Sequence, residues 1–386
     1  MNALCLLSKS FLSRLLLETL AKYRVPVHAS KELRALLPVN LSFVDEARAK
    51  ALLAAPDTVV YSNAEDSLPL VYASGRKPLV DAITVFKDKA ALREKLRAWF
   101  PDFFFAELTR GELAGFHVPA GRTLFLKPSI GFCGRGNARV SGQAEWDDAV
   151  PRVLAEISAF QGSFNDAVLN ADKFLVEDFI EGEEFACDAF FDTRGKPAVV
   201  VLSKHPFASP EDSRNVVYYT SHALLRRLLE SVTAFLGKLG SLAPLASFPV
   251  HFEFRLTRKG LRPIEVNPLR FGGFGLADLS FHAFGVNEYR HFFEGQAPDW
   301  KHILSKPDDR TYAFVLGQRP KKGLPSHYSV DHEKFKQTFR EVLDYVVVDH
   351  TQYPFFSTVY TRHEDENEVL KYLHFDYGEY VAGQGE

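Results

Sequence analysis

Apolar positions in this chain recur with two periods, and the period switches repeatedly along it. Ala3–Leu7 is a continuous apolar run, and Phe11, Leu12, Leu15, Leu16 and Leu20 follow at helical spacing within Ser10–Tyr23. Val25–His28 predicts a second strand, Glu46–Ala54 a second helix and Asp57–Tyr61 a further strand. Strands and helices in alternation predict a parallel α/β domain. No G-x-G-x-x-G follows the first strand, so a dinucleotide site is not supported. Ser74–Pro78 reads as a loop or linker.

The middle of the chain mixes longer helices with alternating strands. Asp88–Phe100 predicts a helix with Asp88 as its cap. Thr123–Lys127 predicts a strand running into the glycine-rich stretch Ser129–Gly136, and Asn137–Val140 leads away from it. Glu145–Phe160 is helical in pattern; Lys173–Phe179, Glu184–Asp192 and Pro197–Lys204 are strand-like; Pro206–Asn215 is a polar loop. Ala223–Gly240 predicts a helix stopping at its glycine. His251–Asn267 then reads as a hairpin. Phe252, Phe254 and Leu256 alternate with His251, Glu253 and Arg255 before the turn Arg258-Lys259-Gly260, and Glu265 and Asn267 alternate with Ile264 and Val266 after it. Glu253 and Glu265 are equidistant from Lys259, which sets them nearly opposite on one face; a bulge would shift that register by a residue.

After Gly295, strands are predicted over Thr311–Leu316, Tyr345–Asp349 and Phe355–Tyr360, and helices over His332–Leu343 and Asp365–His374. The expected division is an N-terminal parallel α/β domain over 1–86, a central domain over 87–295 and a small C-terminal α+β subdomain over 296–386. No internal repeat or low-complexity segment is evident.

Composition narrows the function classes. A length of 386 residues with 46% hydrophobic content fits two or three globular domains. A net charge of −3 and a pI near 6.5 direct no field at nucleic acid or an anionic membrane. Cys5, Cys133 and Cys187 form no C-x-x-C pair, which argues for a reducing, cytoplasmic setting and against a disulfide framework or zinc site. No apolar run approaches a membrane span, and Lys9, Arg14 and Glu18 interrupt the leucine-rich start, so an amphipathic first helix explains it better than a signal peptide.

The candidate chemistry lies in four pieces. Lys127 ends an apolar strand before Gly131, Gly134 and Gly136, whose backbone N–H groups could close over phosphate oxygens. Cys133 in that loop has no evident base and reads as incidental. Glu177 and Glu184 flank a turn whose backbone at Phe179 and Ile180 could pair with a nucleobase edge. Lys89 alone is a helix-surface lysine. Glu253, Glu265 and Asn267 form an all-oxygen set suited to Mg²⁺, although alone such a hairpin reads as a solvated face. Their order on plausible strands supplies an adenine clamp, phosphate cations and a metal cage together.

With Phe125-Leu-Lys-Pro128, Val176-Glu-Asp-Phe-Ile-Glu-Gly-Glu-Glu184 and Pro263-Ile-Glu-Val-Asn-Pro268, the chain resembles the ATP-grasp superfamily. The similarity is to the branch with D-alanine–D-alanine ligase, biotin carboxylase and the L-amino-acid ligases, over about residues 1 to 295. The resemblance implies the two-lobed ATP-grasp fold for the central domain. It implies ATP phosphates at Lys89 and Lys127, adenine at Glu177, Phe179 and Ile180, and ribose at Glu184. Two Mg²⁺ (Mn²⁺ as the alternative) would sit at Glu253, Glu265 and Asn267. Relatives read Asn-Pro-Arg where this chain reads Asn267-Pro-Leu-Arg270. Arg270 is therefore one candidate at the reacting phosphate and His251 the second. Pro206–Asn215 corresponds in place to the phosphate-covering loop of relatives, with Lys204 and Arg214 as its cationic candidates. The implied activity is ATP-dependent joining of a small-molecule carboxylate to an amine through an acyl phosphate. The alternatives are a bicarbonate-activating or nucleotide-precursor ligase, or a non-catalytic ATP-binding protein. No nucleic-acid or membrane partner is expected, and a homodimer is left open.

Overall fold

β1 (Ala3–Leu6), β2 (Pro26–His28), β3 (Ser42–Phe43) and β4 (Val59–Ser62) form a parallel sheet in the order β3-β2-β1-β4. β1 is buried at every position, as the interior strand of a sheet covered on both faces must be. Its helix starts at Arg14, later than the apolar spacing alone predicts, because the Ser13 side chain accepts a hydrogen bond from the Leu16 N–H. The computed structural model describes residues 2–131, 136–159, 172–209, 212, 214–320, 328–351 and 353–383. Among them, no helix is long and apolar enough to cross a membrane.

Ser74–Pro78 departs from expectation, because a helix spans Lys77–Lys87. Pro78 sits in its first turn, where a missing N–H has no intrahelical partner to lose. Leu79, Ala82, Ile83 and Phe86 are buried behind it at spacings of three, four and seven. Asp88 then ends this helix and caps the next, Lys89–Leu96, accepting from the Ala90 and Ala91 N–H groups.

A small antiparallel sheet follows, built from β5 (Phe105–Thr109), β6 (Leu124–Pro128), β7 (Ala138–Val140) and β8 (Lys173–Asp178) in the order β5-β8-β6-β7. The helix Gln143–Ala159 covers it with Trp146, Val150, Val153 and Ile157, and the Trp146 indole donates to the Leu113 carbonyl at 3.0 Å.

The large sheet carries β9 (Glu183–Phe191), β10 (Pro197–His205), β11 (Val217–Ser221), β12 (Phe248–Thr257), β13 (Gly260–Pro268) and β14 (Thr311–Gln318). β15 (Tyr328–Val330) pairs apart from it with β18 (Val381–Gly383), while β16 (Val342–Val347) and β17 (Phe355–His363) join the large sheet. Its order is β13-β12-β9-β10-β11-β14-β17-β16. The sheet thus runs on across residue 295. Strands expected in a separate subdomain extend it through the β11–β14 pairing, in which Thr220 faces Tyr312. The helix expected over His332–Leu343 is only His332–Lys336. Val342, Val346 and Val347 are β-branched and take the edge position beside β17 instead.

β17 also supports the glycine-rich turn after β13. Phe274 and Gly275 have φ of 58° and 94°, and the Tyr360 hydroxyl donates to the Gly275 carbonyl at 2.7 Å. A Cβ at Gly275 would collide with that hydroxyl. Gly275→Ala is expected to lower stability by about 2 kcal/mol or more in urea unfolding. An unchanged midpoint would show that the turn is not held as described.

Candidate active site

The hairpin β12–β13 sets Glu253 opposite Glu265 and His251 opposite Asn267. Two departures from a plain hairpin produce this register. Thr257 pairs with Gly260, so the loop is only Arg258 and Lys259; the register then slips beyond Phe254–Pro263, leaving Ile264 as a bulge. Without the bulge, Glu265 would turn to the other face of the sheet. Pro263 is tolerated beside it because β13 is an edge strand.

Arg93 fixes the bulge. Its Nη1 donates to the Pro263 carbonyl at 2.8 Å and its Nη2 to the Ile264 carbonyl at 3.2 Å. The same buried guanidinium is forked onto Glu177 of β8, through Nε to Oε2 and through Nη2 to Oε1 at 3.1 Å. Lys127 of β6 reaches Glu177 Oε1 at 2.7 Å. Burial pushes the Glu177 carboxyl up, but Arg93 and Lys127 outweigh it and hold it down at about 2. For Lys127, burial outweighs Glu177 and the ammonium is lowered.

These groups border one cleft of about 960 Å³. Lys89, Lys127, Glu177, Phe179, Ile180, Glu184, His251, Glu253, Glu265, Asn267 and Arg270 all line it. Glu265 Oε2 receives Lys89 at 3.0 Å and Oε1 the Asn267 amide at 2.9 Å. Burial would raise Glu265, yet Lys89, Asn267 and Lys127 hold it well below the usual range. Burial likewise disfavours the Lys89 ammonium, but Glu265 overcomes this and raises it. His251 bridges Asp188 at 2.7 Å and Glu253 at 3.2 Å. Burial lowers its pKa, and Asp188 and then Glu253 more than restore it, to about 9. Glu253 Oε2 and Asn267 Oδ1 have no protein partner among the described residues. The donor set is all oxygen and carries two opposed carboxylates, which fits a hard divalent cation. Among the described residues, no group of three or more His, Cys, Asp and Glu is placed to hold a metal; the set here is two glutamates and an amide.

The turn after β8 presents a backbone edge. The Phe179 N–H is taken by the Thr123 carbonyl at 2.8 Å, and the Ile180 carbonyl by Arg255. The Phe179 carbonyl and Ile180 N–H have no partner among the described residues. The guanidinium groups of Arg139 and Arg255 lie 4.5 and 4.9 Å from the Phe179 ring centre. Glu184 is held by Arg255 at 2.9 Å and His205 at 3.1 Å.

Lys204 is a correction to the sequence reading. It does not line the cleft but reaches Glu183 at 2.6 Å and lies over the Tyr219 ring. His205, next along β10, faces the cleft instead, because neighbouring side chains in a strand point to opposite faces. Arg214 is closed onto Asp212 by hydrogen bonds of 2.8 and 2.9 Å. Cys133 and Gly134 lie outside the described residues. Arg270 does face the cleft, because Leu269 takes a left-handed φ of 62° and absorbs the extra residue. That strained leucine is fully buried, its N–H bound to the Pro249 carbonyl at 2.9 Å and its carbonyl to the Ser62 N–H at 2.8 Å.

Several site residues escaped sequence reading. Glu65 joins Lys87 and Arg270, the latter at 3.1 Å, and no local pattern marks it. Arg93 had a signal, since it lies four residues after Lys89 and therefore on the same helix face.

Glu177 gives this arrangement a pH signature. A carboxyl lowered on folding adds stability above its unfolded value of about 4.5 and loses it as pH falls toward about 2. Arg93→Met is expected to cost roughly 3 kcal/mol at pH 7 in urea unfolding, and the difference from wild type should shrink as pH falls through that window. A pH-independent difference would refute the Arg93–Glu177 assignment.

Residues 121–278 match the family model described as ATP-grasp domain. In fold, the chain is similar to the L-amino acid ligase of Bacillus licheniformis, at 17% identity and a TM-score of 0.68, with 100% of this chain and 99% of that chain covered. The N5-carboxyaminoimidazole synthase of Aspergillus clavatus, solved with ADP, is similar at 16% identity and a TM-score of 0.63, with 96% of each chain covered. Biotin carboxylase of Campylobacter jejuni follows at 13% identity and a TM-score of 0.61, covering 96% of this chain and 89% of that one. No curated protein matches the chain.

Proposed function

We propose that this chain, which carries an ATP-grasp domain, is an ATP-dependent ligase that activates a small-molecule carboxylate as an acyl phosphate for attack by an amine. The observation that carries this reading is the cross-strand set Glu253, Glu265 and Asn267 on one face of β12–β13, in the same cleft as Lys89 and Lys127. Adenine would sit at the free Phe179 carbonyl and Ile180 N–H, in a pocket walled by the Phe179 ring and closed by Glu177. Glu184 would face the ribose. Lys89 and Lys127 are compact positive charges suited to phosphate oxygens.

Glu253, Glu265 and Asn267 would hold Mg²⁺ (two ions, or Mn²⁺), which when bound neutralises phosphate charge. The carboxylate substrate attacks the γ-phosphorus in line, ADP leaves, and the amine then displaces inorganic phosphate. Such transfer needs positioning and charge compensation rather than a protein nucleophile. Arg270, which lines the same cleft, would meet the carboxylate. His251, bound to Asp188, would steady Glu253.

The test is phosphate release from ATP and Mg²⁺ with pairs of amino acids and other small carboxylates and amines. Glu265→Gln and Asn267→Ala are expected to lower kcat by about 100-fold or more while the thermal unfolding profile stays cooperative. Near-normal turnover in either would refute the metal assignment. Hydrolysis that depends only on bicarbonate would favour a carboxylase-type reaction, and ATP binding without turnover for any acid would favour a non-catalytic protein.

A further inference from the structure

The cleft is chemically divided. Part of its lining is the charged set already described, and part is a wall of Phe274, Leu276, Phe314, Leu316, Tyr218 and Phe207. Phe274 and Leu276 come from the glycine-rich turn just after Arg270, while Phe314 and Leu316 come from β14, beyond residue 295. The wall is backed by packed aromatic rings. Phe274 lies edge-on to Phe355 at 5.0 Å, and Phe314 meets Tyr360 at 5.5 Å. Leu276, Phe314 and Leu316 belong to one buried cluster with those two rings.

Charged groups bordering the wall are already matched. Asp212 is forked to Arg214, and His205 is bound to Glu184 and stacked on Tyr218 at 4.1 Å. Arg270 lines the same cleft, four residues before Phe274. It gives Nε to Glu65 and Nη1 to the Phe271 carbonyl, both at 3.1 Å, and its Nη2 has no partner among the described residues.

We propose that this wall is a side-chain subsite, and that one substrate is an apolar amino acid or similar acid with a branched or aromatic side chain. Its carboxylate would meet Arg270 Nη2 while its side chain lies on Phe274, Leu276 and Phe314. This rests on the ligase reading above and adds the substrate class. A charged side chain placed there would be desolvated without a partner, and a small polar one would leave the wall uncovered. The segment after 295 thereby acquires a role in selecting substrate.

The experiment uses the full chain with ATP and Mg²⁺ and compares leucine and phenylalanine with serine, aspartate and lysine. Phosphate release and direct calorimetric binding of each amino acid are measured in parallel. The expected result is a kcat/KM for leucine or phenylalanine about 100-fold above that for serine or aspartate. Phe274, which is partly exposed, is the residue to vary. Phe274→Ala should cost about tenfold for phenylalanine, carried by KM, and Phe274→Lys should move preference toward aspartate. Turnover of aspartate or lysine as fast as leucine would overturn the subsite while leaving the ligase reading intact. Apolar binding that Phe274→Ala weakens, without phosphate release, would leave the subsite standing and remove the ligase reading. Absence of both binding and turnover for the apolar acids would overturn the subsite.

Discussion

One guanidinium holds the cleft in register. Arg93 is buried, forked onto Glu177 of the small sheet and bonded to the two carbonyls at the β13 bulge of the large sheet. Paired forks of this kind fix direction as well as distance. The bulge decides which face Glu265 occupies, because side chains in a strand alternate with a period of two. Arg93 therefore controls the placement of a carboxylate it does not touch. Through Glu177 it also sets the position of Lys127. A buried pair of this sort is weak evidence for net stability but strong evidence for a specified geometry, since losing either partner strands the other.

The cost it supports is electrostatic. Opposed glutamates on neighbouring strands repel, and the fold answers with unlike partners. Lys89 and the Asn267 amide hold Glu265, while His251 bridges Glu253 and Asp188. Each contact uses only part of the carboxylate. Glu253 Oε2 and Asn267 Oδ1 keep no protein partner among the described residues, so these oxygens are held ready by the protein itself. In the proposed ligase, this is the preorganisation that phosphoryl transfer draws on.

Much of the charged end was legible in the sequence, though partly through compensation. The spacing from Glu253 to Glu265 predicts their opposition with a turn centred on Lys259, whereas the real turn is shorter and the bulge restores the register. Asp88 was readable as a cap because the interaction is local. The helix Lys77–Lys87 was hidden by Pro78, although its apolar period lay in plain sight. Lys204 was placed on the correct strand and the wrong face. The pairing of His205 with Glu184 would have corrected this, but strand pairing is not a local property. The consequence of the extra Leu269 was also beyond spacing. Its left-handed backbone exists because Pro249 and Ser62, distant in sequence, bind its two polar groups.

The same distinction explains why the chain's charged chemistry is easier to read than its substrate. The charged groups stand on single strands, on hairpins and on the helix after Asp88, where spacing carries meaning. The apolar wall joins the turn after β13 to β14, whose place in the sheet depends on β11 and β17. Tyr360 of β17 also fixes the glycine turn from which Phe274 projects. None of these contacts is implied by local periodicity. Phe and Leu at such positions look like any core residue until the sheet is assembled. The proposed specificity thus depends on long-range packing, and the segment after 295, which carries no motif of its own, supplies Phe314 and Leu316 to it.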